Sequence, residues 1–151
     1  MNWHVRPLQA EDHDRWRELY AGYAAFYRLA QTDEQAGRTW TWLMDPAHEL
    51  EGLVAHHPSG HVVGLAHVRA FTRPSTATLG GYLDDLYVDP AARGTGAADG
   101  LLTALAQHAD QRGWNVLRWI TADDNHRARS KYDQHATRTH WITYDMTPTS
   151  P

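Results

Sequence analysis

In the first third of the chain, apolar residues recur every three or four positions: Trp16, Leu19, Tyr20, Tyr23, Phe26 and Tyr27 fall on one side of a 3.6-residue spiral. The spacing predicts an amphipathic helix starting near Asp12, preceded by a short alternating strand over Trp3 to Pro7. Thr32, followed three residues later by Gln35, forms a capping-box pattern, and Trp40, Leu43 and Met44 give a second helix its apolar face before Pro46 stops it. The period then shortens. Leu50 to His56 and His61 to Phe71 read as two strands joined by the turn His57-Pro58-Ser59-Gly60, and a third strand runs from Tyr82 to Val88. Leu101, Leu102, Leu105 and His108 mark a helix between Gly96 and Gly113, and Val116 to Thr121 reads as a buried strand. Asn125 opens a short polar helix to about His135, and Trp141 to Met146 reads as a last strand.

This order, with hairpins early and a strand-helix-strand crossover late, predicts one mixed α/β domain over residues 1–146 and a frayed tail over 147–151. A chain of 151 residues can bury roughly two thirds of its unfolded surface, enough for an independent core. Composition narrows the function. Lys and Arg number 14 against 18 Asp and Glu, a net charge of -4, so no basic face for nucleic acid is expected. There is no cysteine, which removes disulfides, thiolate nucleophiles and thiolate metal ligands. No apolar run reaches membrane length and no signal-peptide core is visible, so the expectation is a cytoplasmic protein with no membrane partner.

The stretch Leu83-Asp84-Asp85-Leu86-Tyr87-Val88-Asp89-Pro90-Ala91-Ala92-Arg93-Gly94-Thr95-Gly96-Ala97-Ala98 holds most of the candidate chemistry. It ends a strand and opens a helix, where amides without intrahelical partners carry a partial positive charge suited to a phosphate. Gly94 and Gly96 either admit such a ligand to the backbone or only make a tight turn. The Gly-Lys-Ser/Thr phosphate loop is absent, and the turn follows a third strand, unlike the first turn of a dinucleotide-binding unit. Asp84 and Asp85 are candidate bases, and regular strand alternation places them on opposite faces. Tyr20, Tyr23 and Tyr27 read as mostly core, with one available to line an acceptor pocket. Among the 11 histidines, His56, His57, His61 and His67 gather near one hairpin, but no HExxH pattern accompanies them and no metal site is expected.

Arg93-x-x-Gly96-x-Ala98 resembles the Arg/Gln-x-x-Gly-x-Gly/Ala motif of the GNAT acetyltransferase superfamily. The approach LDDLYVDP resembles that family's preceding strand, and Asn125 to Tyr132 (NHRARSKY) resembles its Asn-x-x-Ala-x-x-x-Tyr helix. The resemblance implies a central, mostly antiparallel sheet of six to seven strands, about four helices and a splayed, V-shaped cofactor cleft. It also implies acetyl-coenzyme A (acetyl-CoA) as cosubstrate. Its arm would lie along the main chain from Leu86 through Tyr87 to Val88. Its pyrophosphate would meet the amides of Arg93, Gly94, Thr95, Gly96, Ala97 and Ala98, with Asn125 and Ala128 beside the arm. Tyr132 matches the family's general acid, and Asp84 stands where polyamine-type relatives carry Glu, which favours it over Asp85 as base. The closing turn, Asp133 to Trp141, departs from the family pattern, and the ending resembles the histone/polyamine-acetyltransferase-like subgroup, which implies a homodimer. The implied activity is transfer of acetyl to a primary amine of a small molecule: a polyamine, an amino acid or an amino-bearing antibiotic. A protein acetyltransferase for lysine or N-terminal amines and a non-catalytic acyl-CoA sensor are the alternatives.

Overall fold

The computed structural model describes residues 3–151. Its elements are β1 (His4–Pro7), α1 (His13–Phe26), α2 (Asp33–Met44), β2 (Leu50–His56), β3 (Val62–Arg73), β4 (Thr78–Val88), α3 (Ala97–Gln111), β5 (Leu117–Arg118) and α4 (His126–Tyr132). The sheet runs in the order β1-β2-β3-β4-β5. Its first three pairings are antiparallel, and β5 joins β4 in parallel. Sheet and first three helices form one compact unit through Ile120, and Thr121–Pro151 forms a second, smaller unit that holds α4.

Local chemistry sets the elements. The Thr32 hydroxyl accepts from the Gln35 amide at 3.1 Å while the Gln35 side chain accepts from the Thr32 amide at 2.9 Å, so the capping box starts α2 as its spacing predicts. The β2–β3 turn closes through His57 N–H to the His61 carbonyl at 2.9 Å. α1 packs on β3 and β4, and α2 on β2. Trp16, Leu19, Tyr20, Ala36, Val54, Leu65 and Tyr87 form the core there. Gly64, next to Leu65, instead approaches Leu101 of α3, so α3 covers the other face of the sheet. Gly81 lets β4 pass against the Trp114 ring, where any Cβ would collide. That approach seats β5 beside Gly81 and Tyr82.

Three sequence expectations need correction. The sheet has five strands, not six to seven. Val116 to Thr121 contracts to Leu117–Arg118, because β5 finds partners only at Gly81 and Tyr82 before the chain departs and Ile120 becomes exposed. Trp141 to Met146 is not a strand. Its residues favour β structure, but strand propensity acts through a paired neighbour, and this segment has none among the described residues. Trp141, Ile142, Tyr144 and Met146 are 88%, 73%, 85% and 92% exposed.

Candidate active site

The site is organised by a bulge in β4. His67 pairs with Asp85 and the next β3 residue, Val68, pairs with Leu83, so Asp84 is an extra residue in the ladder. The extra residue reverses which side of the strand each backbone group faces. Before it, Gly81 N–H donates to Val116 on the β5 side at 2.8 Å; after it, Asp89 N–H donates to Val63 on the β3 side at 2.7 Å. These two residues are an even number apart and would face the same way in a regular strand. Past the bulge, therefore, Tyr87 turns its polar backbone to β3, whereas Leu86 and Val88 turn theirs away. β5 pairs no further than Tyr82, so among the described residues Leu86 and Val88 lie on an edge without a strand partner. Of the three main-chain contacts expected here, those of Leu86 and Val88 have the open geometry. The Tyr87 ring is buried against α1, where it fills the space a side chain at Gly22 would need.

The strand leads into a loop held by three anchors. Asp89 accepts from the Ala91 amide at 2.9 Å and from Arg15 of α1 at 2.5 Å. Both contacts hold its carboxyl below the usual range. Trp3 Nε1 donates to the Thr95 carbonyl at 3.0 Å, and the Thr95 hydroxyl donates to the Ala92 carbonyl at 2.5 Å. Gly94 and Gly96 adopt φ of 76° and 92°, the left-handed region that favours glycine. Apart from the glycine and its chain neighbours, no heavy atom lies within 4 Å of where a Cβ would sit at either. The first helical bond of α3 runs from Gly100 N–H to the Gly96 carbonyl at 3.0 Å, so the amides of Gly96, Ala97 and Ala98 precede the ladder. Arg93 reaches back, its Nε 3.2 Å from the Val88 carbonyl and its guanidinium 5.4 Å from the Phe26 ring centre. Open space above a positively polarised helix start, beside an arginine, fits a diphosphate. Gly96→Ala is expected to destabilise the fold by about 1–2 kcal/mol through left-handed strain and to weaken coenzyme A binding about tenfold. Urea denaturation and calorimetric titration read the two effects.

The bulge also corrects the expected placement of the two acids. Asp85 Oδ2 lies 2.7 Å from His67 Nδ1, and Asp84 Oδ2 lies 2.9 Å from Arg69 Nε. His67 and Arg69 are two residues apart on β3 and share a face. Both carboxylates therefore project on the same side, towards α1, because the extra residue cancels the alternation on which the expectation rested. Their surroundings differ. Burial alone would raise the Asp85 carboxyl, but His67, Tyr23 and Tyr20 stabilise its charged form and hold it below the usual range. Tyr20 donates to Asp85 at 2.9 Å, and burial next to this anion pushes the Tyr20 and Tyr23 hydroxyls far above their ordinary value. Asp84 moves the other way, raised by burial against the opposing pull of Arg69. One strand thus presents a stabilised anion beside a more basic carboxylate.

Asn125 and Tyr132 lie in the second unit. The Asn125 side-chain oxygen caps α4 by accepting from the Ala128 amide at 3.3 Å, and Tyr132 is the helix's last residue. The four histidines named near the hairpin do not act together: His67 is buried beside Asp85, while His56 and His57 bond within their own turn. Among the described residues no group of three or more His, Asp or Glu side chains is arranged to hold a metal ion, and no helix is long and apolar enough to cross a membrane. Sequence reasoning missed His67, Trp16 and Arg69 as parts of the site. Their one visible signal is a histidine inside the apolar run Val62-Val63-Gly64-Leu65-Ala66-His67-Val68.

The acetyltransferase (GNAT) family model matches residues 8–136. A D-amino-acid N-acetyltransferase of Saccharomyces cerevisiae is 28% identical over 141 residues, 93% of this chain and 88% of the relative. An uncharacterized N-acetyltransferase of Bacillus subtilis is 31% identical over 131 residues, 86% of each chain. Among solved structures, a ribosomal-protein-alanine N-acetyltransferase from Brucella melitensis biovar Abortus 2308 superposes with a TM-score of 0.77 at 26% identity, covering 97% of this chain and 99% of its own. The bulged β4, its open edge and the glycine turn thus sit within the residues that match the family model, and the chain belongs to the GNAT acetyltransferases.

Proposed function

We propose that this protein transfers acetyl from acetyl-CoA to the primary amine of a small cationic molecule, by direct attack within a ternary complex. Polyamines, amino acids and amino-bearing antibiotics are the acceptor class. The observation that carries the reading is the position of Asp84 and Asp85: two carboxylates on one face of β4, immediately before the open edge at Leu86 and Val88. When bound, acetyl-CoA supplies an activated acyl thioester. The chain's own residues do the rest. Leu86 and Val88 hold the arm through their main chain, and the Gly94–Ala98 turn with Arg93 holds the diphosphate. Asp85 receives the acceptor's ammonium as a counter-charge. Asp84, the more basic of the two, accepts its proton, directly or through water, and Tyr132 is assigned as proton donor to the departing sulfur. Holding both reactants side by side supplies much of the acceleration. With no cysteine in the chain, direct attack needs no acyl-thiol enzyme. The same reading places the activity in the cytoplasm.

The pH profile tests this division of labour. An alkyl ammonium with a pKa of about 10.4 is almost wholly protonated at neutrality. If a carboxylate of the enzyme takes the proton, the reacting pair is an ionised acid and a charged amine. kcat/KM for the amine is then flat through neutrality and falls in acid as Asp84, raised above the ordinary carboxylate value, becomes protonated. A rise of about tenfold per pH unit through neutrality would show that the enzyme binds only neutral amine and uses no internal base.

We extend the reading to a homodimer. Four large apolar side chains between Trp141 and Met146 are exposed, in a segment of high strand propensity that pairs with no strand among the described residues. A second copy is the proposed partner. Light scattering after size exclusion is expected to give twice the chain mass, and a chain ending at Arg138 is expected to run as a monomer. Equal monomeric masses for both would refute dimerisation.

A further inference from the structure

Within the acid cluster, His67 has both ring nitrogens committed, and the identity of its partners fixes its protonation. The side chain is 1% exposed. Trp16 Nε1 lies 2.9 Å from His67 Nε2. An indole nitrogen only donates, so His67 Nε2 must carry a lone pair there. The ring proton is therefore on Nδ1, 2.7 Å from Asp85 Oδ2. Protonating Nε2 would set two N–H groups against each other in a dry site, so Trp16 disfavours the imidazolium. The His67–Asp85 contact is a hydrogen bond from a neutral ring. That distinguishes it from the neighbouring pair, where the permanent charge of Arg69 lies against Asp84. A neutral donor orients a carboxylate without cancelling its charge.

We propose that His67 is a positioning residue for the acceptor amine: clamped by Trp16 as the neutral Nδ1–H tautomer, it orients Asp85 and leaves that carboxylate's full negative charge for the substrate ammonium. This rests on the acceptor reading of Asp85 given above. The groups facing the pair are Tyr20, Tyr23 and Tyr27 from α1, Arg69 from β3 and Asp84 from β4. The three hydroxyls stay protonated and Arg69 stays charged through neutrality. Only Asp84 changes charge, and it does so in acid. In the intact cluster, therefore, nothing alters the charge at Asp85 between about pH 6 and 8. Removing the indole N–H frees Nε2. The ring can then take a proton on Nε2 while its Nδ1 still faces the Asp85 carboxylate. As pH falls, the imidazolium forms and neutralises Asp85.

Trp16→Phe is the test, because it keeps an aromatic ring and removes the donor. Imidazole nitrogen NMR on the ligand-free protein comes first, with His67 assigned by its loss in His67→Asn. The wild-type ring is expected as Nδ1–H, with constant shifts from about pH 5.5 to 8, and the variant ring to titrate. A wild-type His67 that titrates in this window, or carries its proton on Nε2, overturns the proposal without any activity being measured. Amine kinetics follow. In Trp16→Phe the KM for the amine is expected to rise about tenfold from pH 8 to pH 6, with the KM for acetyl-CoA unmoved and the wild-type profile flat. An unchanged amine profile in a variant whose ring titrates overturns the positioning role alone. The expected tautomer with no amine acetylated removes the acceptor reading on which the role rests. Should Trp16→Phe fail to fold, His67→Asn against His67→Leu decides. The amide can still donate to Asp85 and is expected to keep the amine KM within about threefold, while Leu raises it at least about tenfold. Equal values for the two overturn the proposal.

Discussion

Asp85→Asn is expected to lower kcat/KM for the amine about a hundredfold, most of it as a higher amine KM, with the KM for acetyl-CoA unchanged. The substitution keeps the shape of the side chain and removes its charge. His67 and Tyr20 both meet Asp85 at Oδ2, and an asparagine oxygen in that place still accepts from both. What disappears is the half-buried anion proposed to face a cationic substrate, and preorganised charges of this kind are typically worth a factor of about 10² to 10³. Stability gives an independent reading. The folded state holds Asp85 below the usual carboxylate range, so its charged form stabilises the fold above the unfolded pKa. That contribution is lost as pH falls through the folded value. Urea denaturation at neutral pH should therefore find Asp85→Asn less stable than the wild type, with the difference shrinking in strong acid. A variant equally stable at every pH, with an unchanged amine KM, would mean that Asp85 is only a satisfied core residue.

Tyr132→Phe is expected to reduce kcat by a factor of about 10² or more while leaving coenzyme A binding intact, because it removes one hydroxyl and no packing surface. Loss of a general acid typically accounts for about 10² to 10⁴ in rate. Chemistry must be separated from product release for this to be read cleanly, so single-turnover measurement is the appropriate check. Full activity in Tyr132→Phe would assign the sulfur's proton to solvent or to another group.

Local rules made much of the fold legible. The Thr32–Gln35 box, the apolar stripe of α1 and the Gly60-containing turn each depend on residues within a few positions of one another, and each appears where its spacing places it. The order of antiparallel hairpins followed by a parallel crossover was legible for the same reason. The glycine turn was visible through Gly94 and Gly96, since few residues tolerate their backbone angles.

The relation between the two acids was not legible. Counting along β4 puts Asp84 and Asp85 on opposite faces, and only the pairing of His67 with Asp85 and of Val68 with Leu83 shows that the count slips by one. A bulge is a property of two strands and leaves no fixed mark in either. Trp16, far from β4 in sequence, was hidden likewise: it belongs to the same apolar stripe as Leu19, and although Tyr20, Tyr23 and Tyr27 were legible as a group of which one could line an acceptor pocket, nothing in that stripe says which ring will reach a polar group. The strand expected over Trp141 to Met146 marks the opposite limit. Its composition fits a strand, but a strand also needs an edge to pair with, and sequence does not say whether the edge is supplied by the same chain.

Free thiol released from acetyl-CoA by the purified protein, followed across polyamines, amino acids, aminoglycosides and basic peptides, tests amine acetylation most directly. Saturable thiol release that depends on a small cationic amine, and that is lost together with acetylated product in Asp85→Asn, is the expected result. Coenzyme A binding with no amine-dependent release from any member of the panel would contradict it and leave the open edge of β4 as a binding site without chemistry.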